Sequence, residues 1–173
     1  MTGVAYLGLG SNIGDRKAKL LETLKRMLDF DLKLCRVSSL YESEPLGLIK
    51  SQPFFYNAVA EVSTGFSPED LLWRCQKIES LMGRQRKMDK GPRTIDIDLL
   101  LLGTMVVDRP ELVIPHPEMN QRAFVLLPLL ELKPNLVNPR DGVAFCDHLS
   151  NVIHDQRVTR IGCLNIGDSV GGG

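Results

Sequence analysis

What this chain lacks narrows what it can be. Its 173 residues carry no excess charge: 21 Lys and Arg stand against 21 Asp and Glu. A surface dedicated to nucleic acid leaves a basic surplus, so beyond local patches no nucleic acid is expected as partner. No apolar run approaches the length that spans a bilayer, and no membrane partner is expected either. The opening MTGVAYLGLGSNIG has no basic residue ahead of its short apolar run and does not read as a signal peptide. Cys35, Cys75, Cys146 and Cys163 are scattered without a C-x-x-C pair, which favours reduced thiols over disulfides or a metal site. His116, His148 and His154 show no zinc spacing, and no Ser/His/Asp or Cys/His constellation stands out. Neither G-x-G-x-x-G nor G-K-[S/T] occurs, so GLGSNIGD (8–15) reads as a strand and a tight turn into a helix. Internal repeats and a central linker are also missing. The expectation is a soluble cytoplasmic globule, one domain of ordinary size with a real hydrophobic core, and a monomer.

What is present is an alternation of strands and helices. VAYLGLG (4–10) is a strand, followed by a helix with Leu20, Leu21, Leu24, Met27 and Leu28 at helical spacing and Asp15 as cap. LKLCRVSSLYES (32–43) and FYNAVAEVST (55–64) alternate as strands, with a loop between them punctuated by Pro45, Gly47 and Pro53. Ser67, Pro68 and Asp70 open a second helix, with Leu71, Leu72, Cys75, Ile78 and Met82 as its apolar face and Gly83 as its end. The basic loop RQRKMDKGPR (84–93) leads into a strand, IDIDLLLL, and Gly103-Thr104 suggests a hairpin into MVV. A helix is expected from Asn120 to about Leu130, bent near Pro128, and an amphipathic segment over about 144–154. The reading is one α+β domain over 1–160, a mostly antiparallel sheet with helices packed on it, and a disordered Gly-rich tail, 161–173.

Asp96 and Asp98 open a strand that ends in four leucines. Residues two apart face the same way, so both acids share a face that Leu100 and Leu102 continue, while Ile95, Ile97, Leu99 and Leu101 take the other. Two carboxylates about 5 Å apart repel by roughly 3 kcal/mol at an effective dielectric of about 20. A shared proton or a cation must relieve this, and Mg²⁺ suits one or two carboxylates completed by water and phosphate oxygens. Alone, the pair could be two solvated surface acids. Arg84, Arg86, Lys87 and Arg93 lie within reach, and arginines with a carboxylate-held metal make a polyphosphate cradle. Glu79 is an acid at the edge of an apolar helical face, where pairing with a nearby arginine is the plain alternative.

Six ordered segments then carry a resemblance: LGLGSNIGD, YESEPLG (41–47), FYNAVAEV (55–62), IESLMGRQRK (78–87), GPRTIDIDLLL (91–101) and IPHPEMNQRAFVLLPL (114–129). They resemble the 6-hydroxymethyl-7,8-dihydropterin pyrophosphokinases of folate biosynthesis and cover most of residues 4–135. The resemblance implies a ferredoxin-like α+β sandwich that transfers pyrophosphate from ATP to the pterin hydroxymethyl group and releases AMP. It implies that Asp96 and Asp98 hold two Mg²⁺ ions and that Arg84 and Arg93 handle the phosphates. Gln76, Glu79, Arg86, Lys87, His116 and Arg122 fall on ATP-site positions. Ser43, Glu44, Leu46, Phe55, Asn57, Asp96 and Phe124 fall on the pterin pocket, with Phe55 and Phe124 as an aromatic sandwich and Asn57 as an edge-reading amide.

This chain departs from the family at Ser43-Glu44, where Thr-Pro is frequent, and in a basic loop one residue shorter. Lys90 replaces a tryptophan there and Asp89 an arginine. That loop is expected to close over bound nucleotide, resting more on charge than on stacking. The sequence leaves two other classes open: a metal-dependent nucleotidyltransferase using the D-x-D strand, and a non-catalytic ferredoxin-like regulatory module.

Overall fold

The computed structural model describes residues 3–46, 51–83 and 94–166. Arg84, Arg86, Lys87 and Arg93, with the expected lid they belong to, lie outside the described residues, as does the Gly-rich end from 167. The elements in order are β1 (Gly3–Ser11), α1 (Arg16–Asp29), β2 (Lys33–Val37), β3 (Leu40–Ser43), β4 (Phe55–Thr64), α2 (Pro68–Leu81) and β5 (Asp96–Leu102). Then follow β6 (Val107–Arg109), β7 (Leu112–Ile114), a 3-10 turn (Met119–Gln121), α3 (Ala123–Leu132), α4 (Phe145–Val152) and β8 (Val158–Gly162).

Local chemistry sets the helix ends. Asp15 Oδ1 accepts the Ala18 N–H at 3.0 Å and so starts α1. Ser67 Oγ accepts the Asp70 N–H at 3.2 Å, with Pro68 preset for the first turn of α2. Past the end of α2, Gly83 takes φ +80°, a conformation that costs a side chain dearly.

The main sheet runs β5-β1-β4-β3-β8, with β2 also on β4, and every pairing is antiparallel. With β2 and β3 counted as one interrupted strand, β1 to β5 form the β-α-β-β-α-β unit of a ferredoxin-like sandwich, as expected. The interruption was not expected. At Ser38, the N–H donates to Val59 O and the Oγ accepts the Val59 N–H, both at 2.9 Å, while the Ser39 N–H turns away to Glu131 Oε2 at 2.7 Å. These bonds divide the strand that the pattern over 32–43 suggested.

Further differences follow from how β5 is flanked. Gly103-Thr104 does not return as a hairpin partner; β6 pairs with β7 in a separate two-stranded sheet. The outer edge of β5 is already taken, because Ile97 N–H donates to Glu79 Oε2 and Leu100 O accepts the His116 N–H, each at 3.0 Å. The alternation also breaks within the leucines. Leu99 pairs with Leu7 and Leu101 with Tyr6, leaving Leu100 as the extra residue of a bulge. Leu100 and Leu101 therefore both join the core under α3, and Leu102 goes to the opposite core with Leu99. α3 begins at Ala123 rather than Asn120, after the 3-10 turn, and holds Pro128 inside it. Structure also continues past residue 160: β8 pairs with β3, and Leu164 is buried.

Two cores flank the sheet. On one face Leu7, Leu9, Ile97 and Leu99 pack against Leu20, Leu24, Leu71 and Ile78 of α1 and α2. On the other, Tyr6, Val59 and Leu100 pack against Val125, Leu126 and Leu129 of α3 and Phe145 of α4. Burying each such side chain contributes about 1.5–3 kcal/mol. The acids of β5 lie at the edge of this second core, where Val59 and Val125 line a cleft with them.

Candidate active site

The site is built on three neighbouring strands. Gly10 of β1 pairs with Asn57 on one side and Asp96 on the other; two residues along, Gly8 pairs with Val59 and Asp98. Partners across a ladder share a face. Asn57, Asp96 and Asp98 thus rise from one face with glycines between them. A Cβ on Gly10 would lie 3.3 Å from Asn57 Oδ1 and 3.7 Å from Phe55 Cδ1. The bare backbone leaves a floor on which a flat ligand can rest. Reading GLGSNIGD as strand and turn missed this role, although the period-two spacing of Gly8 and Gly10 placed both on one face.

Above that floor is a cleft that opens to solvent at its mouth. All seven residues expected around a pterin line it: Ser43, Glu44, Leu46, Phe55, Asn57, Asp96 and Phe124. Asp98 and Arg122 line it as well. Buried Asn57 donates from Nδ2 to Ser43 Oγ at 2.7 Å, which leaves Oδ1 on the Gly10 side as the acceptor.

The N-terminal turn places one wall. Buried Asn12 donates from Nδ2 to Gln52 Oε1 at 2.8 Å and to Pro53 O at 3.1 Å. Arg16 donates to Phe54 O at 2.6 Å, with its guanidinium 3.7 Å above the Tyr56 ring. The turn therefore grips the chain as it enters β4 and sets Phe55.

Around the acids, Arg122 Nη1 lies 3.7 Å from Asp98 Oδ2 and His116 Nε2 lies 3.9 Å from Asp98 Oδ1. His116 Nδ1 accepts the Glu118 N–H at 3.2 Å, which assigns the ring proton to Nε2. Burial, and then the charge of Arg122, push the His116 pKa down to about 4, so its contact with Asp98 at neutral pH is that of a neutral ring. Arg122 also stands 5.6 Å over the Phe124 ring and pairs with Glu118. Glu79 is 4% exposed, and its bond to the Ile97 N–H grips the strand between the two aspartates. Burial first, with the charges of Glu79 and Asp98, pushes the Cys75 thiol up to about 12, so that thiol is inert. Gln76 is exposed on α2, one turn before Glu79 and not among the cleft-lining residues.

Among the described residues no three His, Cys, Asp or Glu gather as a ready-made metal cage. A carboxylate pair facing an open cleft instead fits a hard cation that keeps water and takes phosphate oxygens, as Mg²⁺ does.

Fold and site define the class first: a ferredoxin-like sandwich whose paired carboxylates face a cleft lined also by Phe55 and Phe124. The family described as 7,8-dihydro-6-hydroxymethylpterin-pyrophosphokinase matches residues 6–134. The 2-amino-4-hydroxy-6-hydroxymethyldihydropteridine pyrophosphokinase of Aquifex aeolicus is 40% identical over 134 residues, 78% of this chain and 82% of that one. Its counterpart in Pseudomonas aeruginosa is 44% identical over 140 residues, 79% of this chain and 84% of that one. The Folic acid synthesis protein fol1 of Pneumocystis carinii is 41% identical over 87% of this chain, but the match spans only 20% of that protein. A crystal structure of wild-type Plasmodium falciparum HPPK-DHPS with pterin and p-hydroxybenzoate superposes with a TM-score of 0.67 at 18% identity, over 87% of this chain and 43% of that one. At that identity the likeness concerns the fold alone.

This chain belongs to the 7,8-dihydro-6-hydroxymethylpterin-pyrophosphokinase family. The family generally uses Mg²⁺.

Proposed function

We propose that the chain transfers the pyrophosphate of ATP to the hydroxymethyl group of 6-hydroxymethyl-7,8-dihydropterin and releases AMP. The observation that carries this reading is the rung Asn57–Gly10–Asp96, an amide acceptor and an acid on either side of a bare floor, in a cleft lined by Phe55 and Phe124. A pterin would rest between the two phenyl rings with its N–H edge toward Asn57 Oδ1. Its hydroxymethyl group would then point toward Asp96 and the phosphates.

Asp96 and Asp98 would hold Mg²⁺, two ions in this reading. Bound there, the metal would neutralise triphosphate oxygens and so favour attack at the β-phosphorus. From the side of Asp98, Arg122 and the Nε2–H of His116 would donate to phosphate oxygens. Glu79 acts through the strand, by fixing the backbone from which both acids project. Gln76, Arg86 and Lys87 complete the ATP site on family grounds, with Arg84 and Arg93 on the transferred group and loop 84–93 closing over it. The same proposal makes the chain one domain and a cytoplasmic monomer. Among the described residues no helix is long and apolar enough to cross a membrane.

Incubation with ATP, Mg²⁺ and the reduced hydroxymethylpterin tests the reading. AMP and pterin pyrophosphate should form in equal amounts, and only with a divalent metal. ADP with a pterin monophosphate would defeat it, and so would free pyrophosphate with a nucleotide-bearing product.

A further inference from the structure

We propose that Gln156 is a positioning residue, whose side-chain amide clamps the main chain on both sides of Arg122 and so sets Arg122 and Phe124 at the cleft. Its Oε1 accepts the Ala123 N–H at 2.8 Å, and its Nε2 donates to Gln121 O at 2.6 Å. α3 has no side-chain cap of its own, because its N-cap residue is Arg122, in extended conformation with φ −118° and ψ 102°. The first amides of a helix have no partner within it. Here one of them is satisfied from a residue 33 positions further along the chain.

The residues beside Gln156 hold the opposite wall. Arg157 O accepts the Glu44 N–H at 3.4 Å, and Val158 pairs with Ser43. Residues 156–158 thus tie the Arg122–Phe124 wall to the Ser43–Glu44 wall. They lie beyond the 6–134 span that matches the family. Without the amide of Gln156, the turn into α3 loses both of these tethers, and Phe124 is no longer held at the distance that a ring sandwich requires.

The positioning role rests on the pterin reading above; the clamp itself does not. Gln156→Leu removes both bonds at similar volume. Gln156→Glu keeps an oxygen for Ala123 and loses the donor to Gln121. Amide hydrogen exchange without substrate reads the clamp. Exchange at Ala123 and Phe124 should quicken at least tenfold in Gln156→Leu, while β1 and β4 amides keep their rates. Steady-state kinetics with saturating ATP and Mg²⁺ read the positioning: KM for the pterin should rise at least tenfold, and Gln156→Glu should recover part of it. Leu164→Ala, in the opposite core, should lower Tm and leave KM unchanged. Unaltered exchange at Ala123 would overturn the clamp, and quickened exchange with a wild-type KM would overturn the positioning role. If the leucine variant does not fold, Gln156→Ala, which also removes both bonds, decides by the same two measurements. A wild-type protein that makes no pterin pyrophosphate would sink the functional reading and the positioning role with it, while exchange still decides the clamp.

Discussion

The carboxylate of Glu79 and the backbone amide of Ile97 are joined by a buried hydrogen bond of 3.0 Å, midway between the two acids of the site. Glu79→Ala strands that amide, at a cost of about 1–3 kcal/mol for an unsatisfied buried donor. Glu79→Gln keeps an oxygen in place. Urea unfolding should show the loss for alanine and its recovery for glutamine. An alanine variant as stable as the wild type would mean that the bond is dispensable.

Asp96 and Asp98 should behave as site and not as scaffold. Either change to Asn should remove activity by roughly 100-fold or more, the scale of losing electrostatic stabilisation at a reacting phosphate. Thermal stability should hold or rise slightly as like-charge repulsion is relieved. Leu100→Ala, at a fully buried position, should instead cost about 2–5 kcal/mol by opening a cavity. Early melting with full residual activity in both Asn variants would mark the acids as structural.

Gly10→Ala tests the floor of the cleft. The new methyl group would stand 3.3 Å from Asn57 Oδ1, tighter than ordinary contact, in the space a ring would occupy. Calorimetry should show pterin affinity falling at least tenfold, with binding of an ATP analogue little changed and Tm close to wild type. Unchanged pterin affinity would place the ring elsewhere.

An acid-sensitive lock lies away from the site. Glu61 accepts bonds from Arg36 at 2.7 Å and Tyr6 Oη at 2.8 Å. The Arg36 bond first, with Tyr6 assisting and burial opposing, holds the Glu61 carboxyl below its ordinary 4.5. Stability from a lowered carboxyl is fully present above the ordinary value and lost as pH falls through the lower folded one. The stability gap between wild type and Glu61→Gln should therefore be flat above about pH 6 and shrink as pH drops below 4.5. A gap that is constant down to acid unfolding would remove Glu61 from this role.

Much of this was legible in the chain because the signals are local. Asp15, Ser67, Pro68 and Gly83 act within their own turns, and the alternation over 55–64 needs no partner to be read. The pterin-pocket residues were legible only through the six family segments; alone, Phe55 and Phe124 look like core. What escaped depends on distant contacts. The break at Ser38–Ser39 answers to Val59 and to Glu131 on α3. The bulge at Leu100 exists only relative to β1. Gly10 as a floor cannot be seen until β4 and β5 are laid beside β1, nor Gln156 as a clamp until the segment after α4 is laid against the turn into α3.

The position of β8 at the rim of the sheet has a consequence for handling the molecule. It covers the outer side of β3, whose residues Leu40–Ser43 would otherwise offer unpaired amides and carbonyls to any passing strand. In β8 itself Thr159 and Arg160 are both exposed. A polypeptide cut back to the family's shared span would trade that charged selvage for a bare, sticky one, and self-association would compete with folding before catalysis could be measured.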